Sequence, residues 1–523
     1  MLYIREFISR VPSAFVRQPR TFRVHYTGCC QTTALLTMLT IQTETIRIKA
    51  APDVDPFSVY RMAVERFGAE HVFLAESVSG PEIDCKQSFV AIRRIASIRF
   101  TADSVNIDAA PEIRGHLTHT AETLPDAPRF DPDGRADLDS PDQLWRLMRA
   151  FLFSSYRVAT TTDEFAAGFV VRLDYDTAAL IERLPRRLPR TNATLVRLDL
   201  YQHVVAFHRD RVALHVNYGP GFGEPDIPSL RQLLTAAPPF RPAAPEASGI
   251  RFSTTKERYL DACRTALDHI HAGDIYQVQL GHEIRVRTGM DPVSLYAHLR
   301  AQNPSPYMFL HQVDDMTLVG ASPENYVRLE GRRLSMRPIA GTLAKSPAVD
   351  GDTLRRELCA SVKENAEHVM LVDLCRNDIG RLCEPGSLDV PSLMAMEEFP
   401  SLYHLVSTVT GELRAGCDAV DVLRATFPAG TMVGAPKIRA MEIIEQLEAS
   451  PRGQYAGAIG LIDFRGGMNM ALCIRMACRI DGEYRLRASA GVVFDSEPER
   501  EWLETLAKMR LAYRILTGQE LVA

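Results

Sequence analysis

The sequence has no long apolar segment, no C-x-x-C motif and no strong net charge, and apart from the adjacent Cys29 and Cys30 its cysteines occur singly. No apolar run reaches the roughly 20 residues that a membrane-spanning helix needs, so we expect no membrane span. No C-x-x-C motif occurs among the 10 cysteines, and scattered thiols are typical of a reduced cytosol. The net charge of −5 favours neither nucleic acid nor an anionic membrane as a partner. These absences predict a cytoplasmic globular protein.

The first forty residues differ in composition from the rest of the chain. They contain five arginines and a single acidic residue, Glu6. An arginine-rich, acid-poor start resembles an organellar transit peptide, which would imply import into an organelle. The alternatives are a disordered leader or an upstream start codon, with the native chain beginning near Met38. We therefore exclude residues 1–40 from the predicted fold.

The rest of the chain divides into two regions joined by a linker. Residues 41–235 mix short alternating strands with amphipathic helices. Residues 236–250 are rich in proline and alanine and lack periodicity, which predicts a linker. Residues 251–523 form a longer mixed α/β region.

Three local patterns predict elements in the first region. Residues 41–50 alternate with a period of two, as a strand does. Residues 55–68 begin with an acid and end with glycine around a helical pattern. Residues 195–216 predict a β-hairpin.

Two glutamate pairs stand out in the second region. Glu364 and Glu367 lie in one stretch of helical periodicity, and Glu501 and Glu504 lie in another. The i, i+3 spacing places both carboxylates of a pair on one helix face. One interpretation is two solvated helix faces. The other is a hard cation between the pairs, and oxygen ligands without cysteine or histidine favour Mg²⁺ over Zn²⁺.

Several unusual strings follow one another between residues 251 and 523. They are GDIYQVQL, NPSPYMFL, GASPENY, PIAGT, ENAEHVMLVDLCRND, AGTMVGAPK, QYAGAIG, ALCIRMA and SAGVVFDSEPEREWLET. In this order they resemble the chorismate-utilising enzymes, most nearly the large subunit (component I) of anthranilate synthase. The resemblance implies an α+β fold in which two mostly antiparallel sheets pack together with flanking helices. It also implies that residues 41–235 are a regulatory region and residues 251–523 the chorismate-binding catalytic domain.

The resemblance implies chorismate as substrate and Mg²⁺ as cofactor. Glu364, Glu367, Glu501 and Glu504 fall where the family places its metal shell, some binding directly and some through water. This agrees with the charge argument from the two pairs. The ion would hold a substrate carboxylate and act as template and Lewis acid.

The resemblance also assigns chemical roles to three side chains. Glu324 matches a general acid that protonates the departing C4 hydroxyl, which requires a raised pKa. His404 matches a histidine close to the ring, which would orient the substrate or move a proton during pyruvate elimination. Arg475 matches an arginine that pairs with a substrate carboxylate. The alternatives are a structural carboxylate, a core histidine and a surface arginine. Further substrate contacts implied by the resemblance are Tyr455, Thr431, Gly491 and Lys437.

Two positions decide the reaction within the family. Gln277 stands where isochorismate and salicylate synthases carry a lysine base that activates water, and glutamine has no ionisable proton for that task. Ala340 stands where many aminodeoxychorismate synthases carry a lysine nucleophile, and alanine cannot form that intermediate. Both absences predict that ammonia adds at C2. Thr342 would line the path of the nucleophile, beside the substrate contact Gly341.

The predicted reaction converts chorismate and ammonia to anthranilate and pyruvate, in tryptophan biosynthesis or a related aromatic pathway. We expect a separate glutamine amidotransferase subunit to supply the ammonia, since no glutaminase domain follows the catalytic strings. Several positions depart from the family pattern. They are LAKS after PIAGT, Met476, Val433, Gln279, Gly281 and His282.

These departures keep other activities open. The enzymatic alternatives are a 2-amino-2-deoxyisochorismate synthase or an aminodeoxychorismate synthase-like enzyme of a specialised pathway. The remaining alternative is a non-catalytic paralogue that binds chorismate.

Tryptophan is expected as a feedback inhibitor. The string FLAES, which ends at Ser77, resembles part of the tryptophan site of the family, and NPSPYM matches it closely. A third expected string is replaced by CKQSF, so an enzyme insensitive to tryptophan is the alternative. The predicted contacts are Ser77, Asn303, Pro304, Tyr307 and Met308.

Overall fold

The computed structural model describes most of the polypeptide after residue 37. The described ranges are 38–49, 51, 53–162, 164–185, 194–314, 316–345, 356, 360–398 and 402–522. Residues 1–37 of the predicted leader lie outside them. The first strand begins at Leu39, so the last residues assigned to the leader belong to the folded chain.

Most of the ten α-helices in the described ranges begin with a side chain that caps the first turn. Asp55, Ser140, Thr255, Asp291 and Asp418 each accept a hydrogen bond from a backbone N–H of that turn. The helices are α1 (Pro56–Phe67), α2 (Pro111–Glu122), α3 (Pro141–Phe153), α4 (Ile227–Gln232), α5 (Lys256–His271), α6 (Pro292–Gln302), α7 (Val362–Gly380), α8 (Ala419–Thr426), α9 (Lys437–Leu447) and α10 (Pro498–Thr517).

Nearly all strand pairs in the described residues are antiparallel, and the pair formed by the first and sixth strands is parallel. The first twelve strands are β1 (Leu39–Ile48), β2 (Val72–Glu76), β3 (Ser88–Phe100), β4 (Ser104–Ala109), β5 (Arg135–Asp137), β6 (Tyr156–Ala159), β7 (Gly168–Leu173), β8 (Val196–Phe207), β9 (Val212–Tyr218), β10 (Gly249–Phe252), β11 (Gln277–Arg287) and β12 (Tyr307–Val313). The others are β13 (Met316–Ser322), β14 (Asn325–Glu330), β15 (Arg333–Met336), β16 (Ile339–Ala344), β17 (Asp389–Glu398), β18 (Leu402–Glu412), β19 (Gly434–Ala435), β20 (Ala458–Asp463), β21 (Met468–Leu472), β22 (Met476–Ile480) and β23 (Glu483–Val492).

The local sequence predictions for the first region are confirmed. Strand β1 covers residues 41–48 of the alternating stretch, whose last residue, 50, lies outside the described ranges, and α1 runs between the Asp55 cap and Gly68. Strands β8 and β9 form the predicted hairpin. Residues 236–247 contain neither helix nor strand, as predicted for a linker.

The two regions on either side of the linker share hydrogen-bonded sheets. Strand β2 pairs with β12, with Leu74 opposite Leu310. Strand β7 pairs with β20, with Val171 opposite Gly460. The fold is therefore α+β with mostly antiparallel sheets, and residues 41–235 contribute strands to the sheets of the second region.

A continuous hydrophobic core contains side chains from both regions. Trp145 and Phe169 pack in the same cluster as Tyr326 and Ile462, and all four are fully buried. Because the apolar surface buried by one region comes partly from the other, we expect the two to stabilise each other. None of the helices in the described part of the chain has both the length and the apolar character that crossing a bilayer requires.

Candidate active site

Glu324 lies in the short connection between β13 and β14, with its carboxyl buried. Its side chain is 7% exposed. Burial raises its pKa to about 8, while the nearby Thr431 hydroxyl and Lys508 ammonium oppose that shift. A carboxyl with this pKa is mostly protonated at pH 7 and can donate a proton. This direction agrees with the raised pKa that a general-acid role at this position requires.

His404 lies on β18 against the neighbouring strand β16. Its Nδ1 is 3.3 Å from the carbonyl oxygen of Gly341. Gly341 has a φ of 70° at an irregularity of the β16–β18 pairing, a conformation that suits glycine. Burial lowers the pKa of His404 to about 4, and the charge of Arg475 acts in the same direction. The ring is therefore neutral at pH 7, and with Nδ1–H donating to Gly341 its Nε2 is a proton acceptor.

Arg475 lies between β21 and β22 and is open to solvent. Its φ of 49° is rare for a residue with a side chain, and its Nη1 donates to the carbonyl oxygen of Lys508 at 3.2 Å. The surrounding protein lowers the pKa of the guanidinium, and nearby Tyr455 and Glu504 oppose that change. The group remains charged at neutral pH. An exposed guanidinium that is positioned by its hydrogen bond to the Lys508 carbonyl oxygen can pair with a ligand carboxylate.

Polar side chains of β11 and β23 form a layer beside Tyr455. The Tyr455 hydroxyl lies 2.8 Å from Oγ of Ser489, which donates to Oε1 of Gln279 at 3.0 Å. Gly491 lies opposite Gln279, and a Cβ there would come within 2.7 Å of Nε2 of Gln277 and 2.9 Å of Nε2 of Gln279. Oε1 of Gln277 is buried without a hydrogen-bond partner among the described residues. The layer therefore excludes any side chain at position 491. It also leaves Oε1 of Gln277 without a donor among the described residues.

Lys508 was missed by the sequence analysis, although its position was predictable. It lies one helical turn after Glu504 on α10, and its Nζ forms an ion pair with that glutamate at 2.7 Å. The same Nζ donates to the carbonyl oxygen of Ser489 at 2.8 Å. Its charge also acts on the Glu324 carboxyl. Lys508 therefore connects the helix with the second glutamate pair to the polar layer and to the buried acid.

The two glutamate pairs lie on two helices, as predicted, each pair near the start of its helix. Glu364 and Glu367 are half-buried at the start of α7, whereas at the start of α10 Glu501 is buried and Glu504 exposed. Helix α7 packs against β16 and β18, and α10 packs against β11 and β23. Carboxylate oxygens suit Mg²⁺ in chemical type. Among the described residues, however, no three carboxylate, histidine or cysteine side chains are grouped as a metal site, so the Mg²⁺ site stays a prediction.

Lys437 has protein partners for its ammonium group. Its Nζ lies 2.7 Å from each carboxylate oxygen of Asp378 and donates to the carbonyl oxygen of Thr426 at 2.9 Å. Asp378 is 1% exposed, so this ion pair is held inside the protein and links α7 to the start of α9. A direct contact between Lys437 and substrate stays a prediction.

The residues predicted to choose the nucleophile lie on two different strands. Gln277 is the first residue of β11, and Ala340 lies half-buried on β16 beside Gly341. Thr342 belongs to β16 and pairs with His404, and its side chain lies outside the described atoms. Their roles stay predictions.

Three predicted tryptophan contacts line one small cavity. Ser77, Tyr307 and Met308 surround a space of about 50 Å³. The Tyr307 hydroxyl donates to Oδ1 of Asp84 at 2.8 Å. Small-molecule sites are usually about 300–1,000 Å³, so an indole would need the walls to separate. Asn303 and Pro304 lie at the end of α6, outside this lining, and the tryptophan site stays a prediction.

Most of the predicted catalytic and substrate residues are thus linked by hydrogen bonds or by electrostatic interactions. Arg475 acts electrostatically on His404, and Glu504 and Tyr455 act on Arg475. Lys508 and the polar layer extend this set to Glu324, Gly491 and Gln277. The set contains a protonated acid, a neutral histidine and two cations, which can hold an anionic ligand and move protons on it.

The chain is similar to known proteins over most of its length. The family model described as chorismate binding enzyme matches residues 117–514. The 2-amino-4-deoxychorismate synthase of Streptomyces globisporus is 43% identical over 471 residues, which are 88% of this chain and 94% of that protein. Anthranilate synthase component 1 of Aquifex aeolicus is 48% identical over 267 residues, 51% of this chain and 54% of that protein.

A solved structure shares this fold. Anthranilate synthase component I from Streptococcus pneumoniae TIGR4 superimposes with a TM-score of 0.67 at 29% sequence identity, over 82% of this chain and 92% of that one. The match extends over both sides of the linker, and it agrees with the α+β fold predicted from the sequence.

Proposed function

The chain belongs to the family of chorismate-binding enzymes, and on that premise we propose that it adds ammonia to C2 of chorismate as the 4-hydroxyl departs. We further propose that pyruvate is then eliminated, so that the chain is the large subunit of an anthranilate synthase. Anthranilate synthase components are among its similar relatives and structures.

The observation that carries the proposal is the buried acid Glu324. The C4 hydroxyl is a poor leaving group and needs a proton as its C–O bond breaks. A carboxyl whose pKa is about 8 holds that proton at pH 7, and the Lys508 ammonium nearby stabilises the carboxylate left behind. Glu324 therefore serves as the general acid.

Gln277 supports ammonia as the nucleophile. Its buried Oε1 lacks a donor among the described residues, so it can accept a hydrogen bond from an incoming N–H. A glutamine cannot deprotonate water, which argues against a hydroxylated product. Ala340 offers no nucleophile for a covalent intermediate.

His404 supports the elimination that follows amination. Removing the C2 proton while the C3–O bond breaks releases enolpyruvate and leaves an aromatic ring, and the enolpyruvate becomes pyruvate on protonation. The neutral ring, with a pKa of about 4, provides an acceptor for the C2 proton at pH 7. Arg475, exposed beside it, pairs with a substrate carboxylate and fixes the ring.

We also propose that the two glutamate pairs are the ligands of a Mg²⁺ ion. Glu364, Glu367, Glu501 and Glu504 would hold it, directly or through water, as suits a cation that retains part of its hydration shell. When bound, the ion would neutralise a substrate carboxylate and draw electron density from the ring. The proton transfers assigned to Glu324 and His404 do not depend on this assignment.

A second candidate ends with the aminated compound. The relative that matches 94% of its own length here is named for 2-amino-4-deoxychorismate, which has an amino group at C2 and no 4-hydroxyl. Met476, next to Arg475, and the LAKS string after PIAGT depart from the anthranilate synthase pattern. In this candidate, Glu324 and Gln277 act as above and the C3 enolpyruvyl group is retained.

Ammonia is scarce at neutral pH, so we propose a glutamine amidotransferase subunit as its source. The proposal rests on the family resemblance and on the chemistry of glutamine hydrolysis, which requires a nucleophilic cysteine with a basic partner. Adding that subunit with glutamine should replace the need for ammonium salts.

One incubation distinguishes the two candidate reactions. The pure chain is given chorismate, Mg²⁺ and an ammonium salt, and the products are identified by mass. Equal amounts of anthranilate and pyruvate support the first candidate, and an amino compound that keeps the enolpyruvyl group supports the second. A hydroxylated product, or untouched chorismate, would contradict both.

A further inference from the structure

Gln279, which departs from the family pattern, has a backbone that is held from both sides. Its N–H donates to the carbonyl oxygen of Val433 at 2.8 Å, and its carbonyl oxygen accepts from Nη2 of Arg452 at 2.7 Å. Arg452 is 4% exposed and forms an ion pair with the buried Glu448 at 2.8 Å. Because buried and paired groups hold this backbone, the Gln279 side chain extends from a fixed position.

The Ser489 hydroxyl determines the direction of two protons. Among the described residues its Oγ has two side-chain partners, the Tyr455 hydroxyl at 2.8 Å and Oε1 of Gln279 at 3.0 Å. A hydroxyl has one proton and an amide oxygen can only accept, so Ser489 donates to Gln279. The contact with Tyr455 then requires Tyr455 to donate. The Tyr455 proton therefore points toward Ser489, and only the lone pairs of its oxygen remain for other partners.

These hydrogen bonds are shielded from water. Ser489 is 1% exposed, Tyr455 is 5% exposed and Gln279 is half-buried. In such surroundings a hydrogen bond is stronger than in water, and a reversed Ser489 proton would leave two acceptor oxygens facing each other. The protein, rather than a ligand, thus sets the direction of the Tyr455 proton.

The remaining lone pairs of the Tyr455 oxygen lie near the arginine of the candidate active site. The surrounding protein lowers the pKa of the Arg475 guanidinium and Tyr455 opposes that change, so the two groups lie within electrostatic reach of each other. An oxygen that presents only lone pairs attracts a cation and accepts a hydrogen bond from a hydroxyl or amino group, whereas it repels a carboxylate. A ligand carboxylate is therefore left to Arg475.

We propose that Gln279 is a positioning residue that acts through Ser489 and makes Tyr455 a hydrogen-bond acceptor toward the ligand. The inference rests on the proposed function where it concerns chorismate, since the ligand donor is then the 4-hydroxyl or the ammonia that adds at C2. The direction of the Tyr455 proton does not depend on which reaction follows.

Resonance Raman spectra of the full-length chain without substrate test the direction of this proton. The paired ring bands of tyrosine change in relative intensity between a phenol that donates a hydrogen bond and one that accepts, and subtracting the spectrum of the matching Tyr455→Phe variant isolates this residue. Wild type is expected to show a donating Tyr455. Gln279→Leu should show an accepting Tyr455, because the freed Ser489 proton then points toward it.

Two variants serve as controls for the spectra. Gln279→Glu keeps an acceptor oxygen beside Ser489 and should keep the wild-type bands. Gln446→Leu replaces a half-buried glutamine on α9 and should also keep them. Identical Tyr455 bands in wild type and Gln279→Leu would overturn the proposal.

A double-mutant cycle tests the effect on the reaction. Gln279→Leu should lower kcat/KM for chorismate consumption by about tenfold, because one hydrogen bond to the substrate is lost. In a Tyr455→Phe background the same change should cost less than about twofold, because no hydroxyl remains to be oriented. An equal cost in both backgrounds would mean that Gln279 acts on the fold alone, and would also overturn the proposal. The spectra need no turnover, so if chorismate is not consumed the proposed function fails and the spectra still decide the role of Gln279.

Discussion

The two walls of the candidate active site differ in how firmly they hold their side chains. We call them the α10 wall and the α7 wall, each after the helix with its glutamate pair. The α10 wall consists of Gln277, Gln279, Ser489, Gly491, Glu501, Glu504 and Lys508. The α7 wall consists of Ala340, Gly341, Glu364, Glu367 and His404.

The α10 wall is fixed by packing behind it as well as by its own hydrogen bonds. The His282 ring stacks on Trp502 with centroids 4.4 Å apart, and its Nε2 lies 2.8 Å from Oγ1 of Thr505. Thr505 donates its own proton to the carbonyl oxygen of Trp502, so His282 is the donor to Thr505. Burial lowers the pKa of His282 to about 3, which keeps this arrangement uncharged at neutral pH. Residue 282, a departure from the family pattern, thus helps to hold α10 in place.

The α7 wall has the same sequence pattern in different surroundings. Glu364 and Glu367 are both half-buried, whereas on the other wall Glu501 is 6% exposed and Glu504 is exposed. An E-x-x-E pair thus predicts a helix face and says little about its surroundings. Because the packing of His282 and the hydrogen bonds of Lys508 fix the α10 wall, we expect substitutions that disturb it to cost more activity than those on the α7 wall.

The largest effect is expected at the acid beside the α10 wall. Glu324→Gln removes the proton donor while keeping the size of the side chain, and should lower kcat by about 100- to 10,000-fold. Steady-state rates of chorismate consumption measure this. Glu330→Gln, an exposed residue of the following strand paired with Lys86, should retain wild-type turnover. A Glu324→Gln enzyme with more than half of the wild-type rate would remove this residue from the chemistry.

The next effect tests the close packing of the α10 wall. Gly491→Ala places a Cβ within 2.9 Å of two glutamine amides, so they must move from their positions in the polar layer. A displacement of this size should lower kcat/KM by about 100-fold. Gly289→Ala is the matched control, because a Cβ there meets nothing within 4 Å. Equal activities for the two variants would show that the polar layer is not part of the site.

Magnesium dependence compares the two walls directly. Glu504→Gln and Glu367→Gln should each raise the Mg²⁺ concentration needed for half-maximal rate, by about 10- to 100-fold. Glu499→Gln lies in the same turn as the α10 pair but forms an exposed ion pair with Lys256, and should leave the requirement unchanged. If only the Glu504 variant responds, the α7 wall contributes no metal ligand.

The smallest effect concerns tryptophan and lies away from both walls. If tryptophan inhibits, Ser77→Ala should raise the inhibitory concentration by about tenfold through loss of one hydrogen-bonding group, with uninhibited turnover unchanged. Inhibition curves for wild type, Ser77→Ala and the exposed linker variant Ser248→Ala measure this. A wild-type enzyme that is unaffected by millimolar tryptophan would refute the predicted feedback site.

Local sequence features predicted three of the helices and one hairpin, because short-range patterns determine them. The capped helix α1 and the helices that carry the glutamate pairs follow from periodicity and end residues. The raised pKa of Glu324 was predictable in direction, because an acid for this chemistry requires it. Lys508 could also have been found, since it follows Glu504 by four residues on the same helix face.

Long-range contacts could not be predicted from the sequence. The ion pair between Lys437 and Asp378 joins residues that are 59 positions apart. The arrangement of the two walls also depends on the packing of α10 against His282, which the sequence alone does not reveal.

Titration of the Glu324 carboxyl shows whether this residue is the protonated acid of the reaction. Difference infrared spectra of wild type and Glu324→Gln isolate the C=O stretch of the protonated acid, and they can be followed from about pH 5 to pH 10. We expect that band to disappear with a midpoint of about 8. Because the protonated form is the active one, kcat should fall as pH rises through the same midpoint at constant free ammonia. A midpoint near the ordinary 4.5, with turnover unchanged above it, would contradict the account.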